Sequence, residues 1–526
     1  MPEEFVLNQR VLATEPQTGN KMQPIGQRTL DRRLAVGVVF VAAFYRPLII
    51  WATNAWDMSE PGRVLVLGGF TFLAGLVGLV VLTRLRMRPL PASLGIGGML
   101  LGLMNWSSLG TASRPLLLLL LVSFAWLAHR VRFGGVLESI ALILIAVFGV
   151  APALQVGLGH IRKSEPYPVT QAPTVVGSPA SGRVEDVVLV VVDAYPSLRI
   201  AQSWFGHDAL LLRRSLEGRG FEIEPDAWGR HTYTPLSVAS ILQLQSVVRE
   251  GPTSPSVNWS SLFEITRGNN VVSATLRSAG FQYTHIESGW DGTSCGPKVD
   301  RCVHAPWLEE QAWQVIAPSV FASPLEDRYF TITGTFRAAQ ALDDELRALT
   351  ANGSHDYLFA HLLLPHVPVR VDSSCTLVDY PADIEADAVR FRAAMSAQMS
   401  CTDRLLSNGL ESVDDDTAVL IVGDHGPSTS FQLGLAPHEW SDADIAERFS
   451  VLLAYKLPQT CAGPDIPDLV AAMAAVVSCA VDRRFVAPPP EYLIGIDSPE
   501  SIDPQRFARI KELVESDSLA PPSDRG

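Results

Sequence analysis

The sequence predicts an α/β protein in two parts: a membrane domain of five N-terminal helices, then an exported domain whose largely parallel central sheet is sandwiched by helices. Three observations carry this. Hydrophobic residues make up 47 % of the 526, mean hydropathy is +0.19, and five apolar stretches fall between residues 34 and 157. Beyond residue 186, short Val/Ile-rich runs alternate with helix-like segments, the pattern of a parallel sheet covered by helices. All six cysteines lie beyond residue 290.

Taken in order, residues 1–33 are polar, lack the apolar core of a cleavable signal peptide, and read as a cytoplasmic N-terminus. The membrane domain, 34–160, holds the stretches 34–52, 64–83, 92–110, 115–128 and 136–157, each near the length that crosses a bilayer. The third is Gly-rich and the fourth short. Orientation follows from the arginines, because short cytoplasmic loops collect them. Arg28, Arg32 and Arg33 precede the first span, Arg84, Arg86 and Arg88 follow the second, and Arg130 and Arg132 follow the fourth. The alternate loops carry only Arg63 and Arg114. This places the N-terminus inside and everything after residue 160 outside the cytoplasmic membrane, in the periplasm or its equivalent. Arg46, inside the first span, snorkels to the outer interface or meets a lipid phosphate there; Trp51 and Trp56 suit interfacial anchors.

An outside location suits Cys295, Cys302, Cys375, Cys401, Cys461 and Cys479, since disulfides persist there. Of the fifteen possible connectivities, pairing of sequence neighbours is the expectation: 295–302, 375–401 and 461–479. No CxxC pair exists to support a zinc ribbon or thioredoxin-like site. Residues 1–163 carry 15 Lys/Arg and 7 Asp/Glu, so the rest of a chain of net charge −14 carries −22. A domain that acidic is not a nucleic-acid binder.

Residues 161–185, with SEPYPVTQAPTVVGSPASGRVE, read as a Pro-rich linker. The exported domain follows at 186–497, with β-like runs at 187–192, 281–286, 357–364, 417–422 and 450–455. Helix-like segments fall at 203–219, 336–350, 383–408 and 465–479. Residues 498–526 read as a polar C-terminal tail, a surface helix followed by disorder.

In open α/β sheets ligands bind beyond the carboxyl ends of strands. Here VVLVVV runs into Asp193, YLFAHLLL into Pro365-His366, and VLIV into Asp424-His425. Such oxygen and nitrogen donors suit zinc or manganese, and His438 could join them from a loop. His361, inside its strand, reads as a core histidine. In GRHTYTPLSVAS, Thr234 before Pro235 reads as an N-cap with Pro at the first helical position, which alone would explain it. A helix N-terminus also attracts phosphoryl groups, and a hydroxyl there beside a metal can act as a nucleophile. Arg230 and His231 are either substrate contacts or solvated loop residues.

These pieces in this order, VVLVVVDAYPS, HTYTPLSVAS, FAHLLLPHVP and VGDHG with His438 downstream, resemble the sulfatase-like branch of the alkaline phosphatase superfamily. The resemblance is to its membrane-anchored members, lipid A phosphoethanolamine transferases and lipoteichoic acid synthases. It covers roughly residues 186–460, and the membrane region only in topology. It implies that Asp193, Thr234, Asp424 and His425 ligate a divalent metal, zinc or manganese. Thr234 would be the nucleophile, with Thr232 its rival, and His366 and His438 would bind substrate phosphate or a second metal. The implied partners are a membrane lipid donor and an envelope lipid or glycan acceptor. Where those enzymes usually carry Glu, this chain has Asp193. The C/S-x-P-x-R motif that true sulfatases convert to formylglycine is absent. A water-accepting phosphodiesterase of the same fold and a non-catalytic envelope scaffold are the alternatives.

Overall fold

The computed structural model describes residues 25–53, 61–105, 136–162 and most of 174–522. Among them, three helices are long and apolar enough to cross a membrane, not five: Thr29–Ala52, Val64–Arg84 and Val136–Val156. At 1.5 Å per residue, the 21 residues of Val64–Arg84 span about 30 Å, one hydrocarbon core. The Gly-rich third stretch forms the helix Pro89–Met104, whose 16 residues fall short of that. The fourth stretch, 115–128, and Trp56 lie outside the described residues. The helices pack through small residues: a Cβ added at Gly75 would sit 2.6 Å from Val39.

The described residues of the second part form a seven-stranded sheet: β1 Asp186–Val192, β2 Glu222–Glu224, β3 Gln282–Ile286, β4 Arg301–Val303, β5 Asp356–Leu362, β6 Thr417–Gly423 and β7 Leu453–Lys456. Their order is β2-β7-β6-β1-β5-β3-β4. Pairing is parallel from β6 across to β4, and β7 runs against both its neighbours. Side chains alternate along β1. Val188, Val190 and Val192 face a layer containing the helices Leu198–Phe205 and Ala388–Gly409, whereas Val187, Leu189 and Val191 face the helices Thr234–Gln243 and Leu469–Val481. Both faces are therefore buried, which is why these strands read as unbroken apolar runs.

Register positions the site. Val192 at the end of β1 pairs with Leu362 of β5 on one side and Gly423 of β6 on the other. Three strands thus stop at one level, and the residues that follow them share one rim.

Cysteines pair as sequence neighbours: Cys295–Cys302, Cys375–Cys401 and Cys461–Cys479. The C-terminal segment differs from a tail. Asp503 caps the helix Pro504–Glu515, accepting from Arg506 N, and Phe507, Ile510 and Val514 are buried in the same core as β1. Glu500–Ser501 pairs with Leu493–Ile494, so this end of the chain is part of the domain.

Candidate metal centre

Asp193, Asp424 and His425 follow β1 and β6 directly, and all three are buried. The Asp193 turn is held from both sides: Asp193 N donates to Leu362 O at 2.9 Å, and Leu452 N donates to Tyr195 O at 3.0 Å. Ala194 between them has φ +60°, an uncommon region for a residue with a Cβ, and its N–H donates to Asp424 Oδ1 at 3.0 Å. The next residue, Tyr195, donates its hydroxyl to buried Asp403 at 2.6 Å, beside His207. The backbone distortion therefore ties one candidate ligand to the other.

Ligand atoms of Asp193, His366 and His425 lie within 4.8 Å of one another, and so do those of Asp193, His361 and Asp424. Asp193 joins the two groups. His366 is half-buried at the rim; its Nδ1 lies 2.6 Å from Val367 O, an atom that only accepts, so Nε2 is left to ligate. His361 is no bystander in the core: its Nε2 lies 3.6 Å from Asp193 Oδ2, and its Nδ1 meets Thr293 Oγ1 at 2.9 Å. His438 is on an exposed 3-10 turn, Pro437–Glu439, in neither group. A further trio, Glu287 with Cys295 and Cys302, is closed by the disulfide between its cysteines.

Thr234 is the first residue of the helix Thr234–Gln243, one position inside the cap, which is Tyr233. Its hydroxyl is therefore not a capping group. It lies 3.0 Å from His425 Nε2. Thr232 is buried, and its Oγ1 has no partner among the described residues. Arg230 and His231 are neither solvated nor turned to the site. Arg230 pairs with buried Asp468 at 2.7 Å, and His231 with Ser240 at 2.9 Å.

Protonation follows from partners. His425 Nδ1 lies 3.1 Å from Gly426 O, and burial holds the ring well below its ordinary pKa, so it is neutral with its proton on Nδ1. Its Nε2 then accepts from Thr234 Oγ1 at 3.0 Å and lies 3.3 Å from Asp424 Oδ2 and 3.6 Å from Asp193 Oδ1. Burial raises the Asp193 carboxyl, but the neighbouring His366 and His361 outweigh it and hold the group below the usual range. Burial and the Asp193 charge push Asp424 up, to about 6.

Whether a metal fits is decided by what is left over. Asp193 Oδ1, Asp424 Oδ2 and His361 Nε2 are buried without a hydrogen-bond partner among the described residues. Together with His425 Nε2 they form a cluster rich in acceptors and poor in donors, costly unless a cation completes it. Mixed carboxylate and imidazole donors fit zinc or manganese.

No family model and no curated protein matches the chain. Among solved structures it is similar to the integral membrane lipooligosaccharide phosphoethanolamine transferase A of Neisseria meningitidis, at 14% identity and TM-score 0.40, over 85% of this chain and 95% of that one. It is similar to the zinc complex of the C-terminal periplasmic domain of EptC from Escherichia coli, at 10% identity and TM-score 0.39, over 63% and 96%. A protein from Vibrio parahaemolyticus described as in the alkaline phosphatase superfamily is similar at 10% identity and TM-score 0.38, over 69% and 95%. These are likenesses of chain at low scores; the chemistry of the site rests on its own residues.

Proposed function

We propose that the protein is a membrane-anchored, metal-dependent transferase that moves a phosphoryl-linked group, such as phosphoethanolamine or phosphoglycerol, from a lipid donor to an envelope lipid or glycan. The observation that carries it is the buried cluster of Asp193, Asp424 and His425 with the Thr234 hydroxyl 3.0 Å from His425 Nε2. Asp193, Thr234, Asp424 and His425 would hold the metal, with His361 beside them. A bound zinc or manganese ion would lower the pKa of a nearby hydroxyl and offset phosphoryl charge.

This chain's own residues do the rest. Thr234 Oγ1 attacks the donor's phosphorus, forms a phosphothreonine and releases the donor's alcohol; the acceptor hydroxyl then takes the group and regenerates Thr234. The N-terminus of the helix Thr234–Gln243 turns its positive potential toward the phosphoryl oxygens. His366, half-buried at the rim, binds the donor phosphate; exposed His438 has no part. Three apolar helices hold the domain at the membrane, N-terminus inside, and the three disulfides suit an exported location.

Vesicles containing labelled phosphatidylethanolamine or phosphatidylglycerol test this in the presence of zinc or manganese. Wild-type protein is expected to release label from one of them, and Thr234→Ala, with an unchanged circular dichroism spectrum, to release none. Equal release by both would sink the proposal; release by wild type to water alone would select the phosphodiesterase.

A further inference from the structure

Arg448 lies in the last turn of the helix Asp442–Phe449 and is 3 % exposed. Its Nε donates to Thr232 O at 2.8 Å and its Nη1 to Gly426 O at 2.5 Å. Thr232 is two residues before Thr234, and Gly426 directly follows Asp424-His425. One planar guanidinium thus spans the two loops that meet at Thr234 and His425. The Gly426 carbonyl it grips is also the acceptor that fixes the proton on His425 Nδ1. The same helix end holds the other side of that residue, since Gly426 N donates to Arg448 O at 2.8 Å. The approach is so close that a Cβ on Gly426 would sit 1.8 Å from Glu447 O. The guanidinium also rests 5.9 Å from the Tyr233 ring centre.

A buried guanidinium is costly, and these two partners are carbonyls rather than a carboxylate, so its charge is left to act on the nearby Asp424 and Asp193 carboxylates. We propose that Arg448 is a positioning residue for the metal centre: it sets the spacing between the Thr234 loop and the Asp424-His425 loop by bridging Thr232 O and Gly426 O. This rests on the metal-centre reading above. A lysine keeps the charge but, as a single ammonium on a flexible stem, cannot present a fixed fork to both carbonyls.

Zinc and manganese affinities measured by equilibrium dialysis on the full-length protein in detergent test it. The set is wild type, Arg448→Gln, Arg448→Lys, and Arg506→Gln as a control that removes a buttress of the same helix, the Arg506–Asp442 pair. Both Arg448 variants are expected to lose tenfold or more in affinity, the scale on which groups that orient metal ligands act, about 10–100-fold. Arg506→Gln is expected to stay within twofold of wild type. Wild-type affinity in Arg448→Gln, or full rescue by Arg448→Lys, would overturn the proposal. So would unfolding of both Arg448 variants without metal, which would assign Arg448 to the fold at large. Failure of the wild type itself to hold metal would instead overturn the metal centre.

Discussion

Replacing Asp424 by Asn is expected to stabilise the metal-free protein while removing its response to metal. Asp424 has a folded-state value of about 6 against 3.8 for the free group, so folding disfavours its ionised form. The cost is absent below pH 3.8, grows as pH rises and is complete above about 6. There it amounts to about 3 kcal/mol, at about 1.4 kcal/mol for each tenfold change in proton affinity. An amide in the same place removes that cost. Its oxygen keeps the acceptor role toward Ala194 N, and its NH2 can donate to His425 Nε2, which Asp424 Oδ2 now faces at 3.3 Å. Guanidinium unfolding of the detergent-solubilised protein with chelator, followed by tryptophan fluorescence, reads this directly. At pH 7.5 Asp424→Asn should gain up to about 3 kcal/mol over wild type, shrinking to a few tenths near pH 4. Zinc at about 100 times its dissociation constant should then stabilise wild type by about 2.7 kcal/mol and the variant by nothing. A less stable variant without metal, or equal stabilisation of both by zinc, would refute the reasoning.

Other expectations follow from the same geometry. His361→Ala should weaken metal binding at least tenfold in equilibrium dialysis, because its Nε2 faces Asp193, whereas His438→Ala should leave it within twofold. Tyr195→Phe removes a hydroxyl bonded to buried Asp403 and should cost about 1.5–3 kcal/mol in denaturant unfolding. His231 and His285 are held neutral by burial, both down to about 3 from 6.5, so the stability they contribute is full above pH 6.5 and lost as pH falls toward 3. In unfolding titrations, His231→Gln should flatten the fall of stability with pH by about 1.4 kcal/mol per pH unit across that window.

Much of this site was legible because parallel strands buried on both faces write themselves as apolar runs, and the first polar residue after each marks the rim. Asp193 and the Asp424-His425 pair were placed at the rim that way, and the equal register of β1, β5 and β6 accounts for their convergence. His361 was missed for the same reason: it sits within its run, and only pairing opposite Val191 brings it to Asp193. Thr234 was displaced by one position, since a Thr-Pro step marks a helix start without saying which residue caps it. Arg230 found its partner 238 residues away, a distance no local pattern encodes. The C-terminal helix was expected, but at the surface; apolar residues at 507, 510 and 514 behind a capping Asp503 were the signal that it docks on the core.

The metal centre is tested most directly by counting ions. Wild-type protein stripped with chelator, reloaded with zinc or manganese, desalted and analysed by mass-spectrometric elemental analysis should retain at least one ion per chain. The Asp193→Asn, Asp424→Asn double variant should retain none. Wild-type protein that retains no ion, or a double variant that retains as many, would contradict a metal held by Asp193, Asp424 and His425.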